Sequence, residues 1–441
     1  MKIHFVGIGG IGMSGLAKIL VVRGDAVTGC DLHPCSFPGA IVGHDESHLD
    51  GVELVVRTAA VKDDHPEIVE ARAGNIPVVK YAEMLGRLSA EKQTIAIAGC
   101  HGKTTTTSMI AWILSRAGFG PSFVCGGVIP QLGSNAAPGP GKHLVVEACE
   151  YDRSFLNLSP SCAVITNIEE DHLDYYKDIT EIAAAFREFA GKSAGPVIAS
   201  ADNPQTAALL ADLKGKGESF SISKDADWRA RNIEVKDGRW SFEVLKYGRP
   251  YGQYALGVAG EHNVSNALAA IAAATWAGVG QEIIQLALSE FTGAERRFQL
   301  MGEKKGAIVI DDYGHHPTEI QATLRAARER YPDRKIWCVF QPHQISRTRI
   351  FMKDFARSFG DAHVVLLPEI YEARDSVNGN GKRVSSADLA KAIAENGKAA
   401  LFLPTFDEVL GFLNEKVTPD VLLVTMGAGN VNEIARRFLA N

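Results

Sequence analysis

A chain of 441 residues, 46% hydrophobic and 22% charged, has the composition of a soluble globular enzyme and length for about two to four domains. A net charge of −6 without a long basic run argues against a nucleic-acid or anionic-membrane partner. Seven scattered cysteines with no C-x-x-C pair suit reduced thiols, and no apolar run reaches the ~20 residues that span a bilayer, so a cytoplasmic location is expected.

In chain order, the opening Met1–Gly7 has one charge and then a glycine loop, which is a strand pattern rather than a secretory leader. Residues 1–90 alternate apolar strands (3–6, 26–31, 54–56, 76–79) with helices (12–22, 82–88), which predicts a parallel, doubly wound sheet. The polar stretch 89–93 reads as a linker. Strands are expected at 94–98, 144–148, 163–167 and 197–200, and helices at 103–116 and 261–276. Between 231 and 257 short alternating runs suggest a small antiparallel sheet. Strand–helix alternation returns with strands at 307–311, 336–340, 364–367, 401–403 and 421–424. The expected fold is α/β in three domains. They are a Rossmann-like domain (1–90), a central P-loop ATPase-like parallel sheet carrying the small antiparallel sheet (91–294), and a C-terminal Rossmann-like domain (295–441).

Two glycine loops carry the first chemical signals. Gly7-x-Gly9-x-x-Gly12 follows a strand and opens a helix, and Asp31 ends the next strand 19 residues after Gly12. This is the dinucleotide fingerprint: a diphosphate on a helix N-terminus and a carboxylate near a ribose. A UDP-sugar carries the same groups. Farther on, Gly99-Cys100-His101-Gly102-Lys103-Thr104 lies between an apolar strand and a helix. Loop N–H groups and the helix N-terminus face an anion there, the lysine adds a point charge, and the hydroxyl reaches a divalent cation. The usual spacing needs glycine where Ile97 stands, so the loop is a tighter variant. ATP is the expected nucleotide. A separate ATP loop makes a nucleotide-linked sugar a better reading of the first loop than NAD.

Two segments add acids at the ends of parallel strands, where α/β sites form. Glu147-Ala-Cys-Glu150 places Glu150, and Thr166-Asn-Ile-Glu-Glu-Asp-His172 places His172. With Thr104 they form a ligand set for Mg²⁺, with Mn²⁺ as the alternative. Taken singly, Glu150 could be a solvated loop acid, His172 a capping or core histidine, and residues 169–171 a helix-start charge bias.

Nine segments in order, V6-G-I-G-G-I-G-M-S-G15, A98-G-C-H-G-K-T-T-T106, E147-A-C-E-Y151, T166-N-I-E-E-D-H-L-D174, G260-E-H-N-V-S-N-A267, F291-T-G-A-E-R-R-F298, D311-D-Y-G-H-H-P-T-E319, F340-Q-P-H343 and M426-G-A-G-N430, resemble the Mur ligase family over the whole chain. The first, seventh and eighth are similar to the branch that joins L-alanine to UDP-N-acetylmuramate. The resemblance implies ATP-dependent amide-bond formation through an acyl phosphate, in peptidoglycan precursor synthesis, by a monomer or homodimer.

It also implies roles. Gly99, Cys100, His101, Gly102, Lys103, Thr104 and Thr105 cradle the ATP phosphates, with Lys103 on the β/γ-phosphates. Thr104 and Glu150 hold one cation and His172 a second. His262, Asn263 and Asn266 contact the adenine side, Arg297 and Asp311 reach ATP, and Tyr313 covers the base. His315 and Arg347 sit by the amino acid and the transferring carboxyl. Gly9, Gly10, Ile11 and Gly12 take the UDP diphosphate, and Asp31 lies near its nucleoside. The third domain is expected to close on ATP. His315-His316 is not a metal pair, since adjacent residues face apart at a helix start and Pro317 suits a first turn.

Departures from the family pattern are Cys100 and Cys149 for the usual threonine and aspartate, the former inviting oxidation of the loop. Phe186 stands where sister ligases carry a carbamylated lysine, so no such modification is expected. Gln344 replaces an arginine common in this branch and weakens attraction for an amino-acid carboxylate, with Arg347 and Arg349 near to offset it. Rival readings are the sister ligase that recycles a tripeptide onto UDP-N-acetylmuramate, an NAD-dependent oxidoreductase, and a non-catalytic UDP-sugar sensor. The last conflicts with the retention of Lys103, Glu150 and His172.

Overall fold

The computed structural model describes every residue except 36, 174, 214, 237–238, 373–382 and 441. Its described residues form three sheets. Strands β1 (Lys2–Val6), β2 (Ala26–Asp31), β3 (Ala40–Val42), β4 (Leu54–Arg57) and β5 (Val78–Lys80) make the first, in the order β3-β2-β1-β4-β5. All of its pairs are parallel. The two-residue period of β1 sends Ile3 and Phe5 to one apolar core and His4 and Val6 to the opposite face.

The second sheet has ten strands: β6 (Gln93–Ala98), β7 (Ser122–Ile129), β8 (Ser134–Ala137), β9 (His143–Glu147), β10 (Cys162–Ile165), β11 (Val197–Ser200), β12 (Gly217–Ser221), β13 (Trp228–Lys236), β14 (Arg239–Lys246) and β15 (Arg249–Leu256). Their order is β15-β14-β13-β12-β11-β10-β6-β9-β7-β8. The expected small sheet, β13 to β15, thus continues the central sheet from β12 instead of standing apart. The third sheet joins β16 (Gln299–Lys304), β17 (Ala307–Asp312), β18 (Lys335–Phe340), β19 (Val364–Leu367), β20 (Ala399–Phe402) and β21 (Val421–Met426) in the order β16-β17-β21-β18-β19-β20. Only β16 runs antiparallel to its neighbour.

Two compact units emerge. The first is Met1–Arg231, Glu243–Tyr254 and Ser265–Phe291; the second is Asn232–Phe242, Ala255–Val264 and Thr292–Asn441. Within the first unit one apolar core runs from Phe5 and Leu16 to Leu144 and Phe186, so the first two sheets share buried surface. Of the stretch 89–93 expected as a linker, Ser89 and Ala90 end the helix Tyr81–Ala90 and Gln93 begins β6, leaving two connecting residues; Ser89 is buried and accepts from Ser159 N at 3.0 Å. Phe186 is fully buried, edge-on to Phe155 at 5.2 Å between ring centres. No helix among the described residues is long and apolar enough to cross a membrane.

Candidate active site

Three neighbouring parallel strands set the site. In the order β10-β6-β9, register aligns Ile165 with Ala98 and Glu147 with Ile97, so the loops after all three leave from one edge. The phosphate loop 99–102 is the middle one. Its glycines are required by shape. Gly99 has φ +139°, and a Cβ there would lie 1.9 Å from Thr166 Oγ1. Gly102 caps the helix Lys103–Arg116 at φ +81°, and a Cβ would meet Asn266 Oδ1 at 2.4 Å.

The flanking loop after β10 fixes the phosphate loop from one side. Asn167 Oδ1 accepts from His101 N at 2.9 Å, while Thr166 Oγ1 and Asn167 Nδ2 donate to His101 O at 2.5 and 3.0 Å. Cys100 is buried, and its sulfur accepts from Glu169 N at 3.1 Å. Burial first, then the Glu150 charge, pushes this thiol well above its ordinary range. The loop thiol on which the oxidation expectation rests is buried, whereas Cys149 is exposed.

On the other side stand the acids after β9. Lys103 Nζ donates to Glu150 Oε1 at 2.9 Å, to Gly99 O at 2.5 Å and to Cys100 O at 3.2 Å. Burial, the largest single effect, pulls the ammonium down; Glu150 together with Cys149, Cys100 and Glu147 outweighs it and holds Lys103 above its ordinary value. Glu150 is 1% exposed, and its backbone carbonyl accepts from Tyr176 Oη at 2.6 Å. His172 adopts φ +53°, outside the usual range for a residue with a side chain, and brings Nε2 to 3.6 Å from Glu150 Oε1 and 3.8 Å from Asp171 Oδ2. Thr104 Oγ1 donates to Glu147 Oε1 at 3.2 Å, and Gly126 N holds Glu147 Oε2 at 2.7 Å.

Sequence reasoning grouped Thr104, Glu150 and His172 as cation ligands. The structure gathers Glu150, Asp171 and His172 into one cluster able to hold an ion and sets Thr104 against Glu147. Glu150 Oε2 is buried without an aligned hydrogen bond, though Lys103 Nζ lies 2.9 Å away. Two carboxylates and an imidazole with such an oxygen fit a hard divalent cation. Thr105 is buried in the first turn of the helix.

The first glycine loop lies at the end of β1. Gly7 takes φ +85°, its N–H donates to Cys30 O at 2.8 Å, and Gly10 precedes the helix Ile11–Arg23. Asp31 Oδ2 accepts from Gly9 N at 2.9 Å, so this acid braces the loop. Ile11 is exposed, and a Cβ on Gly12 would sit 3.1 Å from the Tyr81 ring.

The helix Glu261–Trp276 carries His262, Asn263 and Asn266 near its start; both asparagines are buried. In the second unit, Asp311 is fully buried, accepting from Arg296 Nε at 3.0 Å and Thr425 Oγ1 at 2.6 Å, so it ties the 296 loop to β21. Arg296 and Arg297 both lie over the Tyr313 ring, at 5.0 and 5.1 Å. Asp312 accepts from Phe298 N and Gly314 N at 2.8 and 2.7 Å. The two histidines do part company as expected. His316 caps the helix that begins at Pro317, while His315 Nδ1 faces Tyr313 O at 3.1 Å. His343 lies 6.1 Å from the His315 ring, and Gln344, at φ +70°, precedes the short helix Ile345–Ile350 that carries the buried Arg347.

Residues 2–93, 97–274 and 296–429 match, in turn, the Mur ligase family catalytic domain, the Mur ligase middle domain and the Mur ligase glutamate ligase domain. The chain belongs to the Mur ligase family. Among curated Mur ligases, the UDP-N-acetylmuramate–L-alanine ligase of Carboxydothermus hydrogenoformans is 42% identical, covering 100% of this chain and 96% of the relative. That of Caldanaerobacter subterraneus is 41% identical over 99% and 97%. Among solved Mur ligase structures, the UDP-N-acetylmuramate-alanine ligase of Thermotoga maritima superposes with TM-score 0.84 at 30% identity, covering 100% and 98%. A murein peptide ligase from Psychrobacter arcticus gives 0.69 at 27% identity, covering 100% and 98%.

For this Mur ligase, sequence reasoning missed Glu147, Asp171, Thr166 and Asn167. Each sits inside a motif already singled out, but choosing which acid of E-A-C-E or of E-E-D-H faces inward needs the turn geometry. Asp174, the end of that second motif, lies outside the described residues.

Proposed function

We propose that this Mur ligase joins L-alanine to UDP-N-acetylmuramate at the expense of ATP, in the cytoplasm, as a step of peptidoglycan precursor synthesis. Full-length identity above 40% to curated alanine-adding ligases supports the substrate pair. The observation that carries the chemistry is Lys103 bonded to Glu150 beneath a glycine loop, with His172 beside it.

In the reaction, a lactyl carboxylate oxygen of the sugar attacks the γ-phosphorus of ATP; the bond to the β-bridging oxygen breaks and ADP leaves. The resulting acyl phosphate is attacked at carbon by the alanine amine, and inorganic phosphate departs as the amide forms and the amine sheds its protons. Lys103 moves from Glu150 to the β/γ-phosphates and screens their charge. Loop residues 99–102 with Thr104 and Thr105 present N–H and hydroxyl donors to the same phosphates. Glu150, Asp171 and His172 would hold Mg²⁺, or Mn²⁺, with Thr104 and Glu147 alongside; the cation supplies charge neutralisation on the transferring phosphoryl group. Gly9 to Gly12 bind the UDP diphosphate, with Asp31 bracing that loop. His262, Asn263, Asn266, Arg297, Asp311 and Tyr313 are assigned to ATP, and His315 and Arg347 to the amino acid and the transferring carboxyl. The matching organisation is three functional domains, 1–90, 91–294 and 295–441.

The test is phosphate release from ATP and Mg²⁺ with UDP-N-acetylmuramate, across single amino acids and the recycled tripeptide. Release that requires the UDP-sugar and is fastest with L-alanine is expected. Release with the tripeptide alone, or no release with any acceptor, overturns the assignment.

A further inference from the structure

A second cluster of ligating side chains lies on the far face of the first sheet, in no contact with the phosphate loop's acids. His4 on β1, Cys30 on β2, His48 in the turn Glu46–Leu49 and Glu67 in the first turn of the helix Pro66–Ala73 each turn one donor atom inward. All four atoms lie within 4.8 Å of one another. Cys30 Sγ is 3.1 Å from Glu67 Oε2, His4 Nε2 is 3.5 Å from the same oxygen, and His48 Nδ1 is 3.0 Å from Glu67 Oε1. A tetrahedron of nitrogen, oxygen and sulfur around zinc has edges of about 3.3 to 3.6 Å, given bonds of about 2.0 to 2.3 Å. The three edges to Glu67 lie within about half an ångström of that range, His48 meeting Oε1 and the other two Oε2, and the remaining edges are no longer than 4.8 Å, so the donors would close inward by up to about 1.5 Å on an ion.

We propose that His4, Cys30, His48 and Glu67 form a zinc-binding site beneath the first glycine loop. The donors, two imidazoles, a thiolate and a carboxylate, are those zinc takes in a closed four-coordinate site, and the two anions neutralise the ion where it is buried.

The second independent observation is His4 itself. Its side chain is fully buried, and Nε2 has no hydrogen-bond partner. The ring's other nitrogen, Nδ1, is 2.9 Å from Thr28 Oγ1, an outer partner that orients the ring with Nε2 aimed at the cluster. Outer partners are also in place: Asp45 N donates to Glu67 Oε1 at 2.9 Å, and His44 Nδ1 lies 3.1 Å from Cys30 Sγ. His48 and His44 remain partly exposed, which gives the ion a way in.

The charge states agree. Burial works against the Glu67 carboxylate, yet the nearby His4 ring and bonds from Cys30, His48 and the Asp45 N–H hold it down at about 2. Burial and the Glu67 charge push the Cys30 thiol up, so the metal-free cluster keeps that proton. Zinc entry forms the sulfur–zinc bond, releases the thiol proton to solvent and shifts the His48 proton from Nδ1 to Nε2. Cys30 also carries, through its carbonyl, the N–H groups of Gly7 and Ile8, so the ion would brace the turn that starts the first glycine loop.

The full-length protein, stripped with EDTA, is titrated with Co²⁺ as a spectroscopic probe and then with Zn²⁺. A thiolate-to-cobalt charge-transfer band saturating at about one equivalent, bleached by Zn²⁺, is expected. The band should vanish in Cys30→Ser and survive in Cys149→Ser and His172→Ala. His48→Ala, altering a partly exposed ligand, should keep the wild-type near-UV dichroism while zinc affinity falls by at least about tenfold. No band in the wild-type chain, a band that persists in Cys30→Ser, or unchanged zinc affinity in a folded His48→Ala overturns the proposal.

Discussion

Removing either partner of the Lys103–Glu150 pair should cost more than removing both. The nitrogen–oxygen distance of 2.9 Å gives a gross attraction of about 6 kcal/mol at an effective dielectric constant of ~20. Desolvation takes back most of that, since Glu150 is 1% exposed and the Lys103 side chain 13%. What remains large is the penalty of an orphan. Lys103→Met leaves Glu150 as an uncompensated buried carboxylate and strips a donor from Gly99 O and Cys100 O. Glu150→Gln leaves an unmatched ammonium. Each single change should lower the unfolding free energy by about 3 kcal/mol, the double change by no more than the larger single, with a coupling of about 2 kcal/mol or more. Urea unfolding in EDTA without nucleotide, followed by tryptophan fluorescence and far-ultraviolet dichroism together, measures the cycle. Singles that each cost under about 1 kcal/mol and add in the double would refute the pair as a buried, mutually dependent unit.

Three further outcomes are expected. Gly102→Ala forces a side chain into φ +81° and against Asn266, costing about 1–3 kcal/mol and loosening ATP binding; calorimetric ATP affinity equal to wild type would contradict this. Burial raises the Asp312 carboxyl to about 6, against the pull of Arg297 and two backbone bonds, above its ordinary 3.8. Folding then takes up a proton between about pH 4 and 6, so stability falls as pH rises through that window, by about 2–3 kcal/mol, and levels off above it. Asp312→Asn should flatten that slope in unfolding measured from pH 4 to 7, and an unaltered slope assigns it elsewhere. Gln344→Arg should lower KM for L-alanine about two- to fivefold with kcat unchanged, as one added partly solvated charge would; a matching change in kcat argues for a different role.

Most of the helices and parallel strands were legible because buried parallel strands are near-continuous apolar runs, as at 197–200 and 364–367. The strands that escaped lack that signal. Residues 122–137 are broken by Gly126, Gly127, Pro130 and Gly133, and 299–304 is a polar edge strand paired on one side. At the candidate site, residue type and order revealed Lys103, Glu150 and His172, because phosphate and cation chemistry needs those groups after strands. Which acid faces which donor was not legible: the left-handed His172 and the turn at Asp152 and Arg153, also at positive φ, decide it. The His4–Glu67 cluster was invisible for a simpler reason, since its members are spread over 63 residues and join only through the pairing of β1 with β2 and the packing of a turn and a helix against them.

One contact of the first unit bears on selectivity. A Cβ on Gly15 would lie 2.5 Å from Ala136 Cβ, and Asn135 Nδ2 donates to Ile11 O at 3.0 Å. The helix behind the first glycine loop is thus pressed backbone-close onto the edge of the sheet that carries the phosphate loop, over a shared apolar core. The two loops act as the jaws of a fixed caliper. With the nucleotide-sugar in one jaw and ATP in the other, as proposed above, the sugar's carboxylate would reach the phosphates only where the span of its diphosphate, sugar and lactyl arm matched the gap, and length itself would become a selection criterion that no single side chain encodes.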